Sequence, residues 1–419
     1  MKFALLGFDQ HALRLARVVA DDRHHELVAA YDVGRESETI REISPFVGLD
    51  DDWESLLLGT VADAVIVAPP SLDGISNDND APLDQADVRE DQIRKLVQAQ
   101  VPLLVVQPAC SAMVGYELEM IREGSGCTLV PFWPGVGHSY IQQVSELAVA
   151  GGGAIGDVEQ LNFERTLVDR SQHHVTCQLT RDMAIVRRMF GEIARVSAMG
   201  AYSSLNVHVT TESGTVVHWS VGPADDRAGG KMTLVGTKGK TIVKMPQDDA
   251  AWSMQIANDD PRNDADLQST EYEHTIDSFI AGVENPVHST RWLDSCRELD
   301  FVYSMQKSLR RGRTIELQTQ PASEEQNFKG VMASWGCLLL MATVAVFFGL
   351  ALFDGFTLPF RDDAMDVRDA ANPPPRNPLW IRLWPFYIFA VFILLQCFQL
   401  VFRSGDKQPS VSESSDSAN

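Results

Sequence analysis

The residues with the clearest chemical potential form one short segment near the start of the chain, GFDQHA at positions 7–12. A strand-to-helix turn with the pattern Gly-x-Gly-x-x-Gly binds a diphosphate through its backbone N–H groups. Here Gly7 can make the tight turn, Asp9 replaces the second glycine, and Ala12 is small enough to replace the third. A carboxylate beside a diphosphate is repulsive unless it caps the helix, so the segment predicts a nucleotide site with one unfavourable charge.

The elements around this turn have the order that such a site requires. Residues 3–6 form an apolar run typical of a buried strand, residues 12–20 have helical spacing, and residues 27–31 form a second strand. Asp32 follows that strand, where an acidic residue of a dinucleotide-binding fold accepts the adenosine ribose hydroxyls. Because a carboxylate repels a 2′-phosphate, Asp32 predicts NAD rather than NADP. The alternative is an α/β domain that keeps the fold and binds no ligand.

Strand-like and helical segments continue to alternate after this unit. Residues 64–68 and 103–106 are further apolar runs of strand length, and residues 92–99 and 116–123 have helical spacing. Alternation of this kind places the strands parallel in one sheet with helices on both faces. We therefore predict a doubly wound, Rossmann-like α/β domain over residues 1–130.

The next part of the chain has a different pattern, with many short β-branched segments. Partial alternation of apolar and polar residues predicts strands at 158–167, 195–202, 204–211, 215–222, 231–235 and 240–244. Strands that follow one another without long helices between them favour antiparallel pairing. We therefore predict an α+β domain with an open, mostly antiparallel sheet over residues 131–320.

Two apolar segments near the end of the sequence have the length of membrane spans. Residues 331–353 contain no charge, and as a helix they would be about 35 Å long against a hydrocarbon core of about 30 Å. Residues 383–402 form the second segment, joined to the first by the polar residues 354–382 and followed by a disordered tail at 403–419. The alternative is a pair of buried core helices. With no signal peptide before it, the sequence predicts a multi-pass membrane protein with cytoplasmic soluble domains.

Composition excludes several other classes of protein. The chain has 419 residues and a formal net charge of −22, which argues against a nucleic-acid partner. Its six cysteines include no CxxC pair, so we expect reduced, structural thiols and neither a zinc knuckle nor a redox dithiol. No metal site is predicted, because the acidic residues 78–80 lack the glycine and glutamate that a calcium loop needs.

Several segments in order resemble the glucose–fructose oxidoreductase / inositol dehydrogenase family (Gfo/Idh/MocA), over residues 1–317. The segments that carry the resemblance are DAVIVAPP at 63–70, LLVVQP at 103–108, GGGAIGDV at 151–158, VGTKGK at 235–240 and RRGRTIEL at 310–317. The resemblance implies a nicotinamide dinucleotide and a small-molecule substrate such as a sugar, a polyol or another small hydroxy compound. It also implies a homo-oligomer, because exposed sheet faces in this family commonly pair.

The resemblance also gives the residues expected around the cofactor and the substrate. The cofactor-binding residues are expected to be Gly7, Phe8, Asp9, Gln10, His11, Ala12, Asp32, Ala68, Pro69, Pro70, Gln107 and Pro108. In the family a Lys, a His and an Asp handle the proton that leaves a hydroxyl during hydride transfer. The matching positions here are Gln107, Arg181 and Ala184. Glutamine can donate a hydrogen bond but cannot titrate, and arginine is a poor base.

Other side chains near these positions are candidates for the missing chemistry. We predict that Gln107, Arg181 and Asp182 face the substrate as catalytic residues, and that His173 or His174 could substitute for the family's base. The alternatives are that both histidines are solvated loop residues, and that Asp182 is a surface residue or an ion-pair partner of Arg181 or Arg187. The sequence thus supports a membrane-anchored oxidoreductase or, alternatively, a catalytically degenerate nucleotide-binding sensor or scaffold at the membrane.

Overall fold

Parallel strands form the first sheet of the structure, a computed structural model that describes residues 1–70, 82–149, 154–224, 228–246, 250–257, 259–263, 266–284 and 292–317. Within these residues the sheet has six strands in the order β3-β2-β1-β4-β5-β6. Their bounds are β1 Lys2–Leu6, β2 Glu26–Tyr31, β3 Gly48–Asp50, β4 Ala64–Val67, β5 Leu103–Val106 and β6 Leu129–Phe132. This is the strand order of a doubly wound α/β sheet, and the point at which the strand order reverses lies between β1 and β4.

Helices cover both faces of this sheet, as the alternating pattern predicts. They are α1 Gln10–Asp21, α2 Ser37–Ile43, α3 Pro82–Gln98 and α4 Ala112–Ser125. The apolar face of α1 buries Ala12, Leu15, Ala16 and Val19, so a strip at helical spacing packs on the sheet. Ala12 is fully buried, which fits its expected role as a small residue between helix and strand.

The second sheet is mixed and mostly antiparallel. Its described strands run in the order β14-β13-β12-β11-β7-β10-β9-β8-β15, and among them β7 and β10 are the pair that runs parallel. Their bounds are β7 Val158–Leu167, β8 Ile193–Met199, β9 Asn206–Thr211, β10 Val216–Pro223, β11 Gly229–Gly236, β12 Lys240–Pro246, β13 Ser253–Ile256, β14 Arg262–Asn263 and β15 Ile315–Glu316. The sequence predicts β8 as far as residue 202, but the strand ends at Met199 because Gly200 has a φ of 97°.

Four further helices follow β6 in the described residues. They are α5 Ser139–Val149, α6 Gln172–Phe190, α7 Asp266–Glu284 and α8 Trp292–Arg311. The inner sheet face packs on the apolar residues of α5, α6 and α8, with Phe163 and Trp219 at the centre of this core. Alternation along β7 and β10 places such residues on one face and polar residues on the other.

Helices α7 and α8 also return to the first sheet. Tyr272, Ile276 and Phe279 of α7 share a core with Phe3 and Leu5 of β1. The indole Nε1 of Trp292 in α8 donates to the Gly115 carbonyl of α4 at 2.9 Å. Residues of α7 and of the start of α8 therefore complete the first sheet's cores, although the sequence predicts them in the second domain. Met1–Thr319 is one compact unit.

The predicted membrane segments at 331–353 and 383–402, with the connection at 354–382 and the tail at 403–419, lie outside the described residues. Of the helices in the described part of the chain, none combines the length and apolar character needed to cross a bilayer. Cys110, Cys127, Cys177 and Cys296 form no disulfide within the described residues.

Candidate functional site

A cavity of about 510 Å³ opens at the carboxyl end of the first sheet. One wall comes from the start of α1 and the Pro69-Pro70 segment after β4, and the opposite wall comes from α6, β7 and β12. The loop after β6 and the first described turns of α7 complete it. A crevice outside the carboxyl ends of parallel strands, at the point where their order reverses, is where open α/β sheets bind ligands.

The turn after β1 has the geometry expected of a nucleotide-binding loop. Gly7 has a φ of 83°, which favours glycine, and its N–H donates to the Tyr31 carbonyl at 2.8 Å. Asp9 is the N-cap of α1, and its Oδ2 accepts from the His11 N–H at 2.9 Å. The carboxylate therefore turns back to cap the helix, which is the condition for tolerating it in this turn. The predicted cofactor-binding residues that line the cavity are Phe8, Asp9, Gln10, His11, Pro69 and Pro70.

A cation from the second half of the chain offsets the Asp9 charge. Nη2 of Arg181 on α6 lies 3.6 Å from Asp9 Oδ1, and its Nε donates to the Gln107 carbonyl at 3.0 Å. Burial works against the charged form of Asp9, but Arg181, His11 and the His11 N–H together hold the pKa of this carboxyl below its usual range. Arg14 lines the same cavity, and its Nη1 donates to the Tyr272 hydroxyl at 3.3 Å.

The Gln107 side chain forms a hydrogen bond within its own loop. Its side chain is fully buried, and Oε1 accepts from the Ala109 N–H at 3.0 Å. Its Nε2 has no hydrogen-bond partner among the described residues. The carboxamide therefore organises its own loop, while the backbone carbonyl holds Arg181.

Asp182 is the centre of a buried polar cluster. It is fully buried and accepts from Arg165 Nε at 2.8 Å, from Trp219 Nε1 at 2.7 Å and from Gln178 Nε2 at 3.1 Å. A second bond from Arg165 Nη2 makes the ion pair bidentate. Both carboxylate oxygens are thus engaged, and Asp182 fixes Arg165 at the cavity wall.

The ion-pair partner of Asp182 differs from both predicted partners. Arg181 pairs with Asp9, and Arg187 pairs with Glu192 and Glu298. Arg165 was missed, although a signal for it exists in the sequence. On β7, Leu161, Phe163 and Leu167 alternate toward the core, and Arg165 has the same parity. An arginine on the inward face of a strand requires a buried carboxylate.

His173 and His174 lie in the first turn of α6 at the edge of the cavity, rather than in a loop. His174 Nδ1 is 2.6 Å from Asp169 Oδ2, and both side chains are about half exposed. Burial, followed by the charges of His174 and Arg181, lowers the pKa of His173. Ala184, two residues after Asp182, is buried and offers no polar group.

Two further cavity residues have no counterpart among the predicted ones. Glu271 Oε1 accepts from the N–H groups of Gly135 at 2.9 Å and Gly137 at 3.0 Å, and burial raises the pKa of this carboxyl to about 7. His138 Nδ1 accepts from the Tyr140 N–H at 3.1 Å, so its Nε2 carries the proton in the neutral ring. That Nε2 is buried and lacks a partner in the described part of the chain. No sequence motif indicates either residue.

The raised pKa of Glu271 gives a pH-dependent contribution to stability. The folded state holds the proton more tightly than the unfolded chain, so the contribution is complete below the ordinary pKa of 4.5 and is lost as the pH rises through about 7. We expect Glu271→Gln to raise the unfolding free energy by about 3 kcal/mol at pH 8 and to leave it unchanged at pH 4, at about 1.4 kcal/mol per pKa unit. Denaturant unfolding of both proteins across this pH range measures the difference.

The matched control is Glu273→Gln, because Glu273 is exposed two residues along the same helix. It is expected to follow the wild-type curve at every pH. A pH-independent difference between Glu271→Gln and wild type would contradict the raised pKa.

The sequence matches no family model and no curated protein. The fold, in contrast, is similar to those of many solved structures. A myo-inositol dehydrogenase from Corynebacterium glutamicum has 15% identity and a TM-score of 0.56, over 76% of this chain and 99% of that one. GenD2 from gentamicin A biosynthesis, in complex with NAD, has 15% identity and a TM-score of 0.60, over 76% and 97%.

A variant of a 3-ketoreductase from Actinomadura kijaniata, in complex with TDP-benzene and NADP, has 16% identity and a TM-score of 0.56. The similarity spans 74% of this chain and 98% of that one. At these identities the likeness establishes the two-part fold, a Rossmann-like sheet followed by a mixed sheet. It covers nearly the full length of each of these proteins.

Proposed function

We propose that this chain is an oxidoreductase of the Gfo/Idh/MocA type that binds a nicotinamide dinucleotide and acts on a sugar, polyol or other small hydroxy compound. The observation that carries the proposal is the cavity at the switch point between β1 and β4, which joins the start of α1 to a polar wall from the second sheet. Solved structures with this fold include complexes with NAD and with NADP.

The residues around the turn fit a dinucleotide. The N-terminus of α1 faces the cavity and provides N–H groups for a diphosphate, and Arg181 offsets the charge of Asp9. Asp32 directly follows β2, and in this proposal it binds the adenosine ribose. When bound, the nicotinamide ring supplies or accepts a hydride.

A hydroxyl that loses a hydride from its carbon must also lose a proton, so the cavity needs a group that can take it. Gln107 and Arg181, predicted as catalytic residues, do not titrate near neutral pH. Asp182 forms a buried ion pair with Arg165 and is not available as a base. In this proposal Glu271 takes the proton, since its pKa of about 7 is close to the working pH. His138 Nε2 donates a hydrogen bond to the reacting oxygen, and Arg181 and Arg165 orient the substrate.

The test is a titration of the full-length protein with NADH and with NADPH, followed by nicotinamide fluorescence. Binding is expected for at least one of the two, and a panel of polyols, sugars and hydroxy acids is then screened for reduction of the oxidised form. Nucleotide binding together with turnover of a panel member supports the proposal that the protein is an enzyme. Failure of both nucleotides to bind would overturn the proposal.

The second candidate function is a catalytically degenerate nucleotide-binding sensor or scaffold. Gln107 favours it, because the residue at the position that resembles the family's lysine is fully buried, is not among the residues that line the cavity, and bonds its own loop through Oε1. Binding without turnover of any panel member would support this candidate. Membrane anchoring through residues 331–353 and 383–402, a cytoplasmic location of the soluble part and homo-oligomer formation stay predictions from the sequence.

A further inference from the structure

Asp32, the residue expected to bind the adenosine ribose, is paired with an arginine that the sequence does not connect to it. Nη2 of Arg89 on α3 lies 2.9 Å from Asp32 Oδ2. The Arg89 side chain is only 4% exposed, whereas that of Asp32 is 55% exposed. The carboxylate therefore presents one face to solvent while a buried guanidinium holds the other.

The same guanidinium lies against the nucleotide-binding turn. A Cβ atom placed on Gly7 would come within 2.4 Å of Arg89 Nη2 and 3.0 Å of Arg89 Cζ. The absence of a side chain at Gly7 thus leaves the space that Arg89 uses at the carboxyl end of β1. Gly7, Asp32 and Arg89 form one contact group at the adenosine end of the proposed site.

Arg89 has more donors than this pair uses. Its Nε and Nη1 are buried and have no hydrogen-bond partner within the described residues. Buried donors without partners are costly, so an arginine with two of them beside Gly7 and Asp32 suits an anion better than a purely structural role. A phosphate group is the anion that a guanidinium binds best.

We infer that Arg89 determines the nucleotide specificity of this site: it cancels the charge of Asp32, so that the site accepts an adenosine ribose bearing a 2′-phosphate. The inference rests on the proposed function, because it concerns the choice between NADH and NADPH. Asp32 alone predicts a preference for NAD over NADP. The inference changes this prediction, since a carboxylate paired with a guanidinium no longer repels the 2′-phosphate. Arg89 acts here both through Asp32, as a positioning residue, and as a donor to the phosphate.

The experiment compares the affinities of the full-length protein for NADH and NADPH at one ionic strength. For the wild type we expect the two dissociation constants to agree within about tenfold, since one screened charge near the surface changes binding by about that factor. Arg89→Met removes the positive charge and keeps a side chain of similar length, and we expect it to raise the preference for NADH about tenfold. Asp32→Asn changes an exposed residue, and we expect it to shift the preference about tenfold toward NADPH.

The matched control is Arg94→Met. Arg94 lies on the same helix as Arg89, and its guanidinium pairs with Glu117. It is expected to leave the NADH-to-NADPH ratio unchanged, and thermal unfolding of each variant checks that it folds. If Arg89→Met weakened the binding of NADH and of NADPH equally, Arg89 would be assigned to the diphosphate that both nucleotides share, and the inference would be overturned. A ratio unchanged by Asp32→Asn would overturn it as well, even if the arginine variant failed to fold. If neither nucleotide binds to the wild type, the proposed function itself fails.

Discussion

Arg181→Met is expected to weaken the binding of a nicotinamide dinucleotide by about 1,000-fold, in line with about 3–5 kcal/mol for breaking a buried ion pair. The variant leaves the Asp9 carboxylate at the start of α1 without the cation that lies 3.6 Å away in the wild type. A diphosphate must then enter a partly buried site beside an uncompensated negative charge. Titration with NADH, followed by fluorescence, measures the loss.

A second substitution separates this electrostatic role from simple loss of contact. Asp9→Asn combined with Arg181→Met removes both charges and is expected to recover most of the binding. Arg188→Met changes an exposed arginine in the last turn of the same helix and is expected to bind as the wild type does. Wild-type affinity in the Arg181→Met variant would show that the pair has no part in nucleotide binding.

Asp182→Ala is expected to lower the free energy of unfolding by about 3–5 kcal/mol, because it leaves the buried Arg165 guanidinium without its carboxylate. The loss also includes the hydrogen bonds from Trp219 and Gln178. Denaturant unfolding monitored by tryptophan fluorescence measures it, and Trp219 reports on the site directly.

Two companion variants test the cause. Arg165→Met combined with Asp182→Leu replaces the ion pair with apolar side chains and is expected to recover most of the stability. Asp169→Ala, at a half-exposed carboxylate that pairs with His174, is expected to change the unfolding free energy by no more than about 0.5 kcal/mol. A small effect of Asp182→Ala would mean that Arg165 finds another partner or water.

The strands could be predicted well because apolar runs and alternation are local properties of the sequence. The predicted strands at residues 3–6, 64–68 and 158–167 differ from β1, β4 and β7 by no more than one residue at either end. The two-residue strands β14 and β15 have no periodicity that could predict them, although β15 lies in the segment RRGRTIEL at 310–317, which resembles the last strand of the family. Their pairing depends on the neighbouring strands.

The candidate site was harder to predict because its groups come from distant parts of the chain. The GFDQHA turn and Asp32 were found because their spacing along the sequence is itself the signal. The pairs of Asp9 with Arg181, Asp182 with Arg165 and Asp32 with Arg89 depend on how helices pack on sheets, which no local pattern records. The buried position of Glu271 likewise follows from the return of α7 to the loop after β6.

The packing of α7 against the first sheet has a consequence for folding during synthesis. Synthesis proceeds at about 5–20 residues per second. Residues 1–132, which contain every strand of the first sheet, therefore leave the ribosome well before α7 and α8 do. Until then the patch that Tyr272, Ile276 and Phe279 will cover stays open to water. The first sheet therefore keeps an incomplete core during synthesis, and it acquires its final stability only after α8, which ends at Arg311, has left the ribosome.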